Sequence, residues 1–284
     1  MEVTKISFGK DNLPGYIVGN VNDPAVLVIQ EWWGVNDVRF TSPDFFFLLL
    51  AIAYSPTYPT NIPQLVKGHA QKIAAQGYRC LIPDVYHGKI GIDKEEASHH
   101  LENLDWMRAV EELKQAVEYL KAGGATKIGS IGWCMGGALS LAAAQHCDIN
   151  CALPFYGTPS TQLAQPENVT APISIHVGAL DNYAGFSDPA TMKDWADKIN
   201  AGGKTTAEYF EYANCGHAFL NPLGGEGTEK REHMGFPEPP NEQQELAWQR
   251  VFTFLDKHLK SGKKVVEEGG GEGNSNGDGG CKCC

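Results

Sequence analysis

The sequence predicts an α/β fold, the α/β-hydrolase type of mostly parallel sheet with helices on both faces. Short apolar runs rich in β-branched residues recur along the chain, and helix-like segments lie between most of them. Several of these runs are apolar almost throughout, which is typical of strands that are buried on both faces. Their alternation with helices indicates parallel strands joined by right-handed crossovers.

Six strands and five helices follow from this pattern. The strands are AVLVIQ (25–30), RCLIPD (79–84), KIGSIGW (127–133), CALPFY (151–156), PISIHVG (172–178) and AEYFEY (207–212). The helices are GHAQKIAAQG (68–77), DWMRAVEELKQAVEYLKAGG (105–124), GALSLAAAQHC (137–147), ATMKDWADKINAGG (190–203) and EQQELAWQRVFTFLDKHLK (242–260). Glycine pairs end two of these helices, since glycine readily adopts the left-handed cap.

Composition and charge narrow the class of protein. The chain has 284 residues, of which 42% are hydrophobic and 20% charged, with a net charge of −11. The negative charge argues against a nucleic-acid-binding surface, which needs a basic footprint. The N-terminus lacks the features of a secretory signal, and the eight cysteines show no framework spacing. We therefore expect a cytoplasmic protein with reduced thiols, and we expect it to be a monomer.

A single domain is predicted over residues 1–260. Two segments differ in composition from the rest of the chain, one inside this domain and one after it. Residues 39–66 contain four prolines, two charges and a ten-residue apolar block, which is too short for the roughly 20 residues of a membrane-spanning helix. Residues 261–284 are rich in glycine and polar residues and end in Cys-Lys-Cys-Cys. This tail is predicted to be disordered, because it cannot bury a core.

The segment Gly-Trp-Cys-Met-Gly-Gly, at the end of the third predicted strand, is the strongest functional signal. A nucleophile flanked by small residues between strand and helix is typical of the nucleophile elbow of α/β-hydrolases, and Gly132, Cys134 and Gly136 fit it. The start of the helix directs amide N–H groups at the sulfur, which favours a thiolate. A buried structural cysteine is the alternative. A dinucleotide-binding loop does not fit, because that motif needs glycine at position 134.

Two further residues complete a candidate triad in the chain order that this fold requires, with an acid and then a histidine after the nucleophile. Asp181 follows the fifth predicted strand, and His217 follows the sixth. Both are expected at the carboxyl ends of parallel strands, where open α/β sheets bind ligands. Taken alone, Asp181 also fits a loop-capping role.

Five segments in order resemble the dienelactone hydrolase (carboxymethylenebutenolidase) family. They are QEWWGVND, PDVYHGK, GWCMGG, GALDN and CGHAF, and the resemblance covers about residues 20–260 apart from 39–66. It implies an ester or lactone hydrolase that needs no cofactor or metal and acts on a small-molecule substrate.

The resemblance also implies roles for individual residues. Cys134, His217 and Asp181 match the family's triad. Glu31 matches a glutamate that contacts the thiol and helps to deprotonate it, although its position also suits a surface carboxylate at a strand end. The backbone N–H groups of Trp32 and Met135 match the oxyanion hole.

The sequence departs from the family where bacterial dienelactone enzymes bind the substrate carboxylate with two arginines. Those places hold His87-Gly88-Lys89 and Asn221. Lys89 is a candidate to replace one arginine in part, but a point charge is not equivalent to a bidentate clamp. Trp33 is a candidate to line an apolar pocket, with simple packing as the alternative.

Two alternatives concern the whole chain. Because the two arginines are missing, the alternative to an active enzyme is a catalytically silent α/β-hydrolase scaffold that binds a small ligand or a partner protein. The segment 39–66 interrupts the strand–loop–helix of the family, so we interpret it as a translated intron or gene-model error, with a genuine lid as the rival. Membrane contact is expected only if the terminal cysteines are lipidated.

Overall fold

The structure, a computed structural model, describes residues 1–35, 65–221, 223, 228, 231–232 and 234–260. One eight-stranded sheet runs through this part of the chain in the order β1-β2-β4-β3-β5-β6-β7-β8. Its strands are β1 (Thr4–Phe8), β2 (Leu13–Val18), β3 (Ala25–Ile29), β4 (Arg79–Pro83), β5 (Ile128–Trp133), β6 (Cys151–Phe155), β7 (Ile173–Gly178) and β8 (Ala207–Tyr212). β3 to β8 are parallel, whereas β2 pairs antiparallel with both β1 and β4.

Helices cover both faces of the sheet. They are α1 (Leu65–Ala74), α2 (Lys94–Glu102), α3 (Trp106–Ala122), α4 (Met135–His146), α5 (Pro189–Gly202) and α6 (Asn241–Leu255), and a π-helical segment, Asp256–Lys260, continues α6. Side chains of β3 alternate between two hydrophobic cores: Leu27 and Ile29 belong to the core that includes α3, α4 and α5, whereas Val26 and Val28 belong to the core that includes α1 and α6. This double coverage explains why the central strands are apolar along their whole length.

The predicted fold class is confirmed, and all six predicted strands are present with ends that differ by at most one residue. The antiparallel hairpin of β1 and β2 is an addition that the sequence analysis did not predict. Its strands contain polar and half-buried positions together with Pro14 and Gly15, so they lack the continuous apolar run of the central strands. In the described sheet, β1 is the edge strand and β2 lies between β1 and β4, so of these two strands only β1 has a side without a hydrogen-bonded neighbour.

The atypical segments fall largely outside the described residues. Only the last two residues of 39–66 are described, and Leu65 and Val66 form the first turn of α1. The tail at 261–284 lies outside the described residues altogether. Within the part that the structure covers, no helix is long and apolar enough to cross a membrane.

The parallel strands place the candidate residues at one edge of the sheet. Glu31 follows β3, Cys134 follows β5 and Tyr156 follows β6. Asp181 and His217 lie in the turns after β7 and β8. Because the carboxyl ends of parallel strands meet at the same edge, residues distant in sequence converge there.

Candidate active site

Cys134 occupies the junction between β5 and α4 in a strained backbone conformation. Its φ and ψ angles are 54° and −117°, which L-residues with a side chain rarely adopt. Its amide N–H donates to the carbonyl oxygen of Phe155 at 3.0 Å, which ties the junction to β6. The side chain is buried, with a residue exposure of 8%. A sharp turn between strand and helix is therefore present at Cys134, and its role as a nucleophile stays a prediction.

The glycines around Cys134 are required by close backbone contacts. A methyl group on Gly132 would lie 2.0 Å from the carbonyl oxygen of Gly136. A methyl group on Gly136 would lie 2.4 Å from the carbonyl oxygen of Ile29, and one on Gly157 would lie 2.0 Å from that of Cys134. No Cβ atom fits at such distances, so glycine allows α4 to start directly against the ends of β3 and β6.

Asp181 and His217 form a buried hydrogen-bonded pair. Asp181 Oδ2 lies 2.7 Å from His217 Nδ1, and both side chains are almost completely buried. The second carboxylate oxygen accepts from the hydroxyl of Ser187 at 2.9 Å and from the amide of Tyr183 at 3.2 Å. These bonds fix the carboxylate, which in turn orients the imidazole so that Nε2 is available for other contacts.

The charge environment favours protonated His217. Burial is the largest single influence and lowers the proton affinity of the ring. The charges of Cys134 and Asp181, and hydrogen bonds with both, outweigh burial and raise the pKa of His217 to about 10. Both Cys134 and Asp181 therefore act on the imidazole of His217.

Glu31 is buried beside this pair and accepts two hydrogen bonds from neutral donors. Tyr156 donates its hydroxyl to Oε1 at 3.3 Å, and Asn221 donates its amide Nδ2–H to Oε2 at 3.2 Å. Burial, Glu31 and Cys134 together raise the pKa of Tyr156 well above its usual range, so this hydroxyl stays protonated and donates. Tyr156 thus connects the carboxylate of Glu31 with the neighbourhood of the thiol.

The turn that carries His217 is anchored to the rest of the molecule through Asn221. Ala218 adopts a left-handed φ of 58°, and the amide of Asn221 donates to its carbonyl oxygen at 3.0 Å. The carbonyl oxygen of Asn221 accepts from Arg231 Nη1 at 2.9 Å and from Gln244 Nε2 at 2.7 Å. One residue therefore links the histidine turn, α6 and Glu31.

The two amides predicted for the oxyanion hole lie where strand β3 and helix α4 meet. Trp32 follows Glu31 in a turn closed by a hydrogen bond from the amide of Gly34 to the carbonyl oxygen of Glu31 at 3.2 Å. Met135 is the first residue of α4, whose first amides have no partner within the helix. The contact of Gly136 with the end of β3 brings these two chain segments together.

The two residues predicted for substrate binding lie in different environments. Lys89 is exposed, in the turn after β4. Trp33 has an exposure of only 2% and packs with Trp32, Leu65 and Ala97. Trp33 also borders a small cavity of about 10 Å³ that Glu31 and Asn221 line. The structure therefore shows Trp33 packed among other side chains, which was the alternative interpretation. Contact between Trp33 and substrate stays a prediction.

Three contacts of the site were not predicted from the sequence: the hydroxyl of Tyr156 on Glu31, the hydroxyl of Ser187 on Asp181, and the amide of Asn221 on Glu31. Ser187 lies six residues after Asp181, and this local spacing is the one signal that was available. The other two contacts join residues 125 and 190 positions apart, and the pattern of the sequence carries no trace of them.

Metal ligation has no candidate in the part of the chain that the structure covers. No group of three or more His, Cys, Asp or Glu side chains is placed there to hold an ion. The adjacent residues His99 and His100 lie on α2, and their ring centroids are 6.1 Å apart.

Comparison with known proteins gives a family match over most of the chain. The model of the dienelactone hydrolase family matches residues 61–259. A provisionally named carboxymethylenebutenolidase of Aquifex aeolicus (strain VF5) is 27% identical over 247 residues, which cover 84% of this chain and 89% of that protein.

Solved structures show the same fold. A provisionally named dienelactone hydrolase of Klebsiella pneumoniae superposes with a TM-score of 0.66 at 17% identity, over 90% of this chain and 99% of that one. A dienelactone hydrolase-like promiscuous phosphotriesterase from metagenomic libraries gives a TM-score of 0.65 at 19% identity, over 91% and 98%.

Proposed function

The chain belongs to the dienelactone hydrolase family and is a hydrolase of esters or lactones, and we propose that it works through a covalent acyl-enzyme on Cys134. The observation that carries this proposal is the convergence of a strained cysteine at the start of α4 with the buried pair of His217 and Asp181. A small-molecule ester or lactone is the substrate.

In the first half of the reaction, Cys134 forms a thioester with the acyl group. The thiolate sulfur attacks the carbonyl carbon, and the negative charge moves to the carbonyl oxygen. The amides of Trp32 and Met135 donate to this oxyanion, and donors so placed contribute about 10²–10³-fold each to the rate. Protonated His217 gives its Nε2 proton to the departing alkoxide oxygen as the carbon–oxygen bond breaks.

In the second half, water releases the acyl group. His217, now neutral, accepts a proton from a water molecule while the water oxygen attacks the thioester carbon. The carbon–sulfur bond breaks and the acid product leaves. His217 then returns its proton to the sulfur, which restores the resting thiol of Cys134. Asp181 keeps the imidazole in the orientation that both proton transfers need.

Glu31 acts on the thiol rather than on the substrate in this scheme. Its carboxylate restrains the resting thiol and helps to deprotonate it when substrate arrives. The hydrogen bonds from Tyr156 and Asn221 support this role, because they fix where the carboxylate oxygens lie. The role itself comes from the family resemblance and is a proposal for this chain.

A comparison of Cys134→Ala and Cys134→Ser with the wild type tests the nucleophile. Initial rates on p-nitrophenyl acetate and a panel of small lactones that includes a dienelactone should fall to background in the alanine variant. Cys215→Ala is the matched control, because Cys215 is another buried free cysteine that follows a strand of the same sheet. It should keep most of the activity.

Two outcomes would go against the proposal. Equal turnover by wild type and Cys134→Ala would show that hydrolysis uses another nucleophile. Background rates in both proteins, on every substrate of the panel, would favour the silent scaffold instead. Circular dichroism of all three variants guards against loss of folding as the cause.

A further inference from the structure

We propose that the half-buried rings of Tyr183 and Phe186 form the wall that the alcohol part of the substrate contacts, so that the site favours esters of phenols over esters of aliphatic alcohols of equal acidity. This inference rests on the proposed function and names the leaving group that the same site selects. Its basis is the set of aromatic rings around His217 and the loop that holds two of them.

Four aromatic rings of the described residues lie around the imidazole of His217. The ring centroids of Tyr156 and Tyr183 are 4.9 Å and 4.8 Å from that of His217. Those of Phe236 and Phe186 are 6.1 Å and 6.3 Å from it. Tyr156 and Phe236 are buried, whereas Tyr183 and Phe186 keep part of their surface exposed. Of these four rings, the two exposed ones are therefore those that a substrate reaches.

The side chain of Tyr183 extends along the imidazole from the side of Asp181 toward the thiol. Its backbone amide donates to Asp181 Oδ1 at 3.2 Å, while its ring stands edge-on to the ring of His217 at 73°. Burial first, and then the charges of Cys134 and Asp181, raise the pKa of the Tyr183 hydroxyl. The hydroxyl end thus lies close enough to Cys134 to respond to its charge, and the ring flanks the approach to the sulfur.

Hydrogen bonds fix the backbone that carries both rings. The carbonyl oxygen of Tyr183 accepts from the amides of Phe186 at 3.1 Å and Ser187 at 3.0 Å. The carbonyl oxygen of Phe186 accepts from the amide of Thr158 at 2.9 Å and from its hydroxyl at 2.7 Å. The wall is therefore tied to the end of β6, and a ligand that contacts it pays little for ordering the loop.

The proposed reaction brings the alcohol part of the substrate to this wall. His217 gives its Nε2 proton to the departing oxygen, so the group bonded to that oxygen lies beside the imidazole and its exposed aromatic neighbours. A phenol ring pairs with such rings edge-to-face or offset, and a pair of this kind contributes about a two- to tenfold factor beyond simple burial. A branched aliphatic alcohol lacks the flat face that this packing needs.

A matched pair of substrates tests the preference. Phenyl butyrate and hexafluoroisopropyl butyrate have the same acyl group and alcohols of similar acidity, but only the first leaving group is aromatic. After normalisation to uncatalysed hydrolysis, we expect kcat/KM of the wild type to be about fivefold higher for the phenyl ester. Both esters form the same butyryl-enzyme, so this difference arises before the alcohol leaves. Equal values, or a preference for the fluorinated ester, would overturn the inference and leave the acyl-enzyme proposal intact.

Variants of Tyr183 test the cause. Tyr183→Leu should remove most of the preference, whereas Tyr183→Phe, which keeps the ring, should retain it. Tyr119→Leu is the matched control, because Tyr119 is a half-buried tyrosine on α3 that packs against Phe8 with ring centroids 6.1 Å apart. It should leave the ratio unchanged. An unchanged ratio in Tyr183→Leu, or an equal loss in Tyr183→Phe, would contradict a contact made by the ring.

The release of the acyl group separates contact with the alcohol from an effect on His217. The alcohol has already left at this step, so the butyryl-enzyme of Tyr183→Leu should be hydrolysed as fast as that of the wild type in a single turnover. Slower release would show that Tyr183 positions His217 instead, and it would overturn the inference. If neither ester is cleaved faster by wild type than by Cys134→Ala, the proposed function fails and the inference falls with it.

Discussion

The hydrogen bond between Asp181 and His217 raises the pKa of the imidazole, so the ring stays protonated to a higher pH. Removal of the carboxylate charge removes one of the influences that raise the pKa of His217 to about 10. In Asp181→Asn we therefore expect the imidazolium of His217 to lose its proton at a lower pH. The NMR chemical shifts of the His217 ring, followed from neutral to alkaline pH and assigned with a His217→Gln blank, measure this shift.

The same variant should lose activity on p-nitrophenyl butyrate. An amide at position 181 no longer stabilises the imidazolium or its tautomer, and we expect kcat/KM to fall by about a thousandfold. Asp194→Asn is the matched control, since Asp194 is half-exposed on α5 and pairs with Lys198 rather than with His217. An identical titration of the His217 ring in Asp181→Asn and wild type would contradict the pairing.

Individual site residues were predictable where their spacing or the family resemblance carried the information. Cys134 was found through its flanking glycines, and Asp181 and His217 through their order after successive strands. Tyr156 is the last residue of a predicted strand, and nothing in the sequence distinguished it from a core tyrosine. Its contact with Glu31 depends on how two separate strands end, which is a property of the sheet.

At the scale of secondary structure, the start of α4 is held against β3 by the absence of a side chain at position 136. Gly136→Ala would place a methyl group 2.4 Å from the carbonyl oxygen of Ile29 and 2.5 Å from that of Gln30. Backbone must move to relieve this overlap, and we expect a loss of at least about 2 kcal/mol in the free energy of unfolding. Activity should fall further, since Cys134 and Met135 move with the helix start.

Gly202→Ala is the control for this substitution. Gly202 is the last residue of α5, and the nearest atom to a methyl group placed there is 3.7 Å away. Alanine there should be neutral or slightly stabilising, because it restricts the unfolded chain without a clash. Urea unfolding of both variants gives the comparison, and equal stabilities would show that the close contact at Gly136 is not needed.

The elements themselves were predictable to different degrees. Strands β3 to β8 are covered on both faces, so burial alone makes them apolar and recognisable. The hairpin of β1 and β2 lies at the edge of the sheet and keeps polar residues such as Lys5 and Ser7. Helix α1 begins at Leu65, inside a segment whose composition gave no helical period. Leu65 packs with Trp33, and both Leu65 and Val66 line the small cavity, so tertiary packing positions this first turn.

At the scale of the whole molecule, two buried histidines should make the fold sensitive to acid. Burial lowers the pKa of His69 and of His176 to about 3, so both rings are neutral in the folded protein. Below pH 6.5 the unfolded chain takes up protons at these positions and the folded chain does not. The free energy of unfolding therefore falls between pH 6.5 and about 3, by about 1.4 kcal/mol per pH unit for each histidine.

Substitution of these histidines should weaken that pH dependence. We expect the loss of stability between pH 6.5 and 5 to be about 2 kcal/mol smaller in His69→Gln or His176→Gln than in wild type. Urea unfolding at the two pH values measures it, and His99→Gln, at an exposed position on α2, is the control. An unchanged slope in both buried-site variants would show that these rings are protonated in the folded protein.

The most direct test of the account is the mass of the protein during turnover. We would mix the enzyme with p-nitrophenyl butyrate, quench in acid within the first turnovers and measure the intact mass and the mass of the peptide that contains Cys134. The account predicts one added butyryl group on Cys134, absent from Cys134→Ala and lost on further incubation. Turnover with no acylated cysteine, or with the acyl group on another residue, would contradict a covalent mechanism at Cys134.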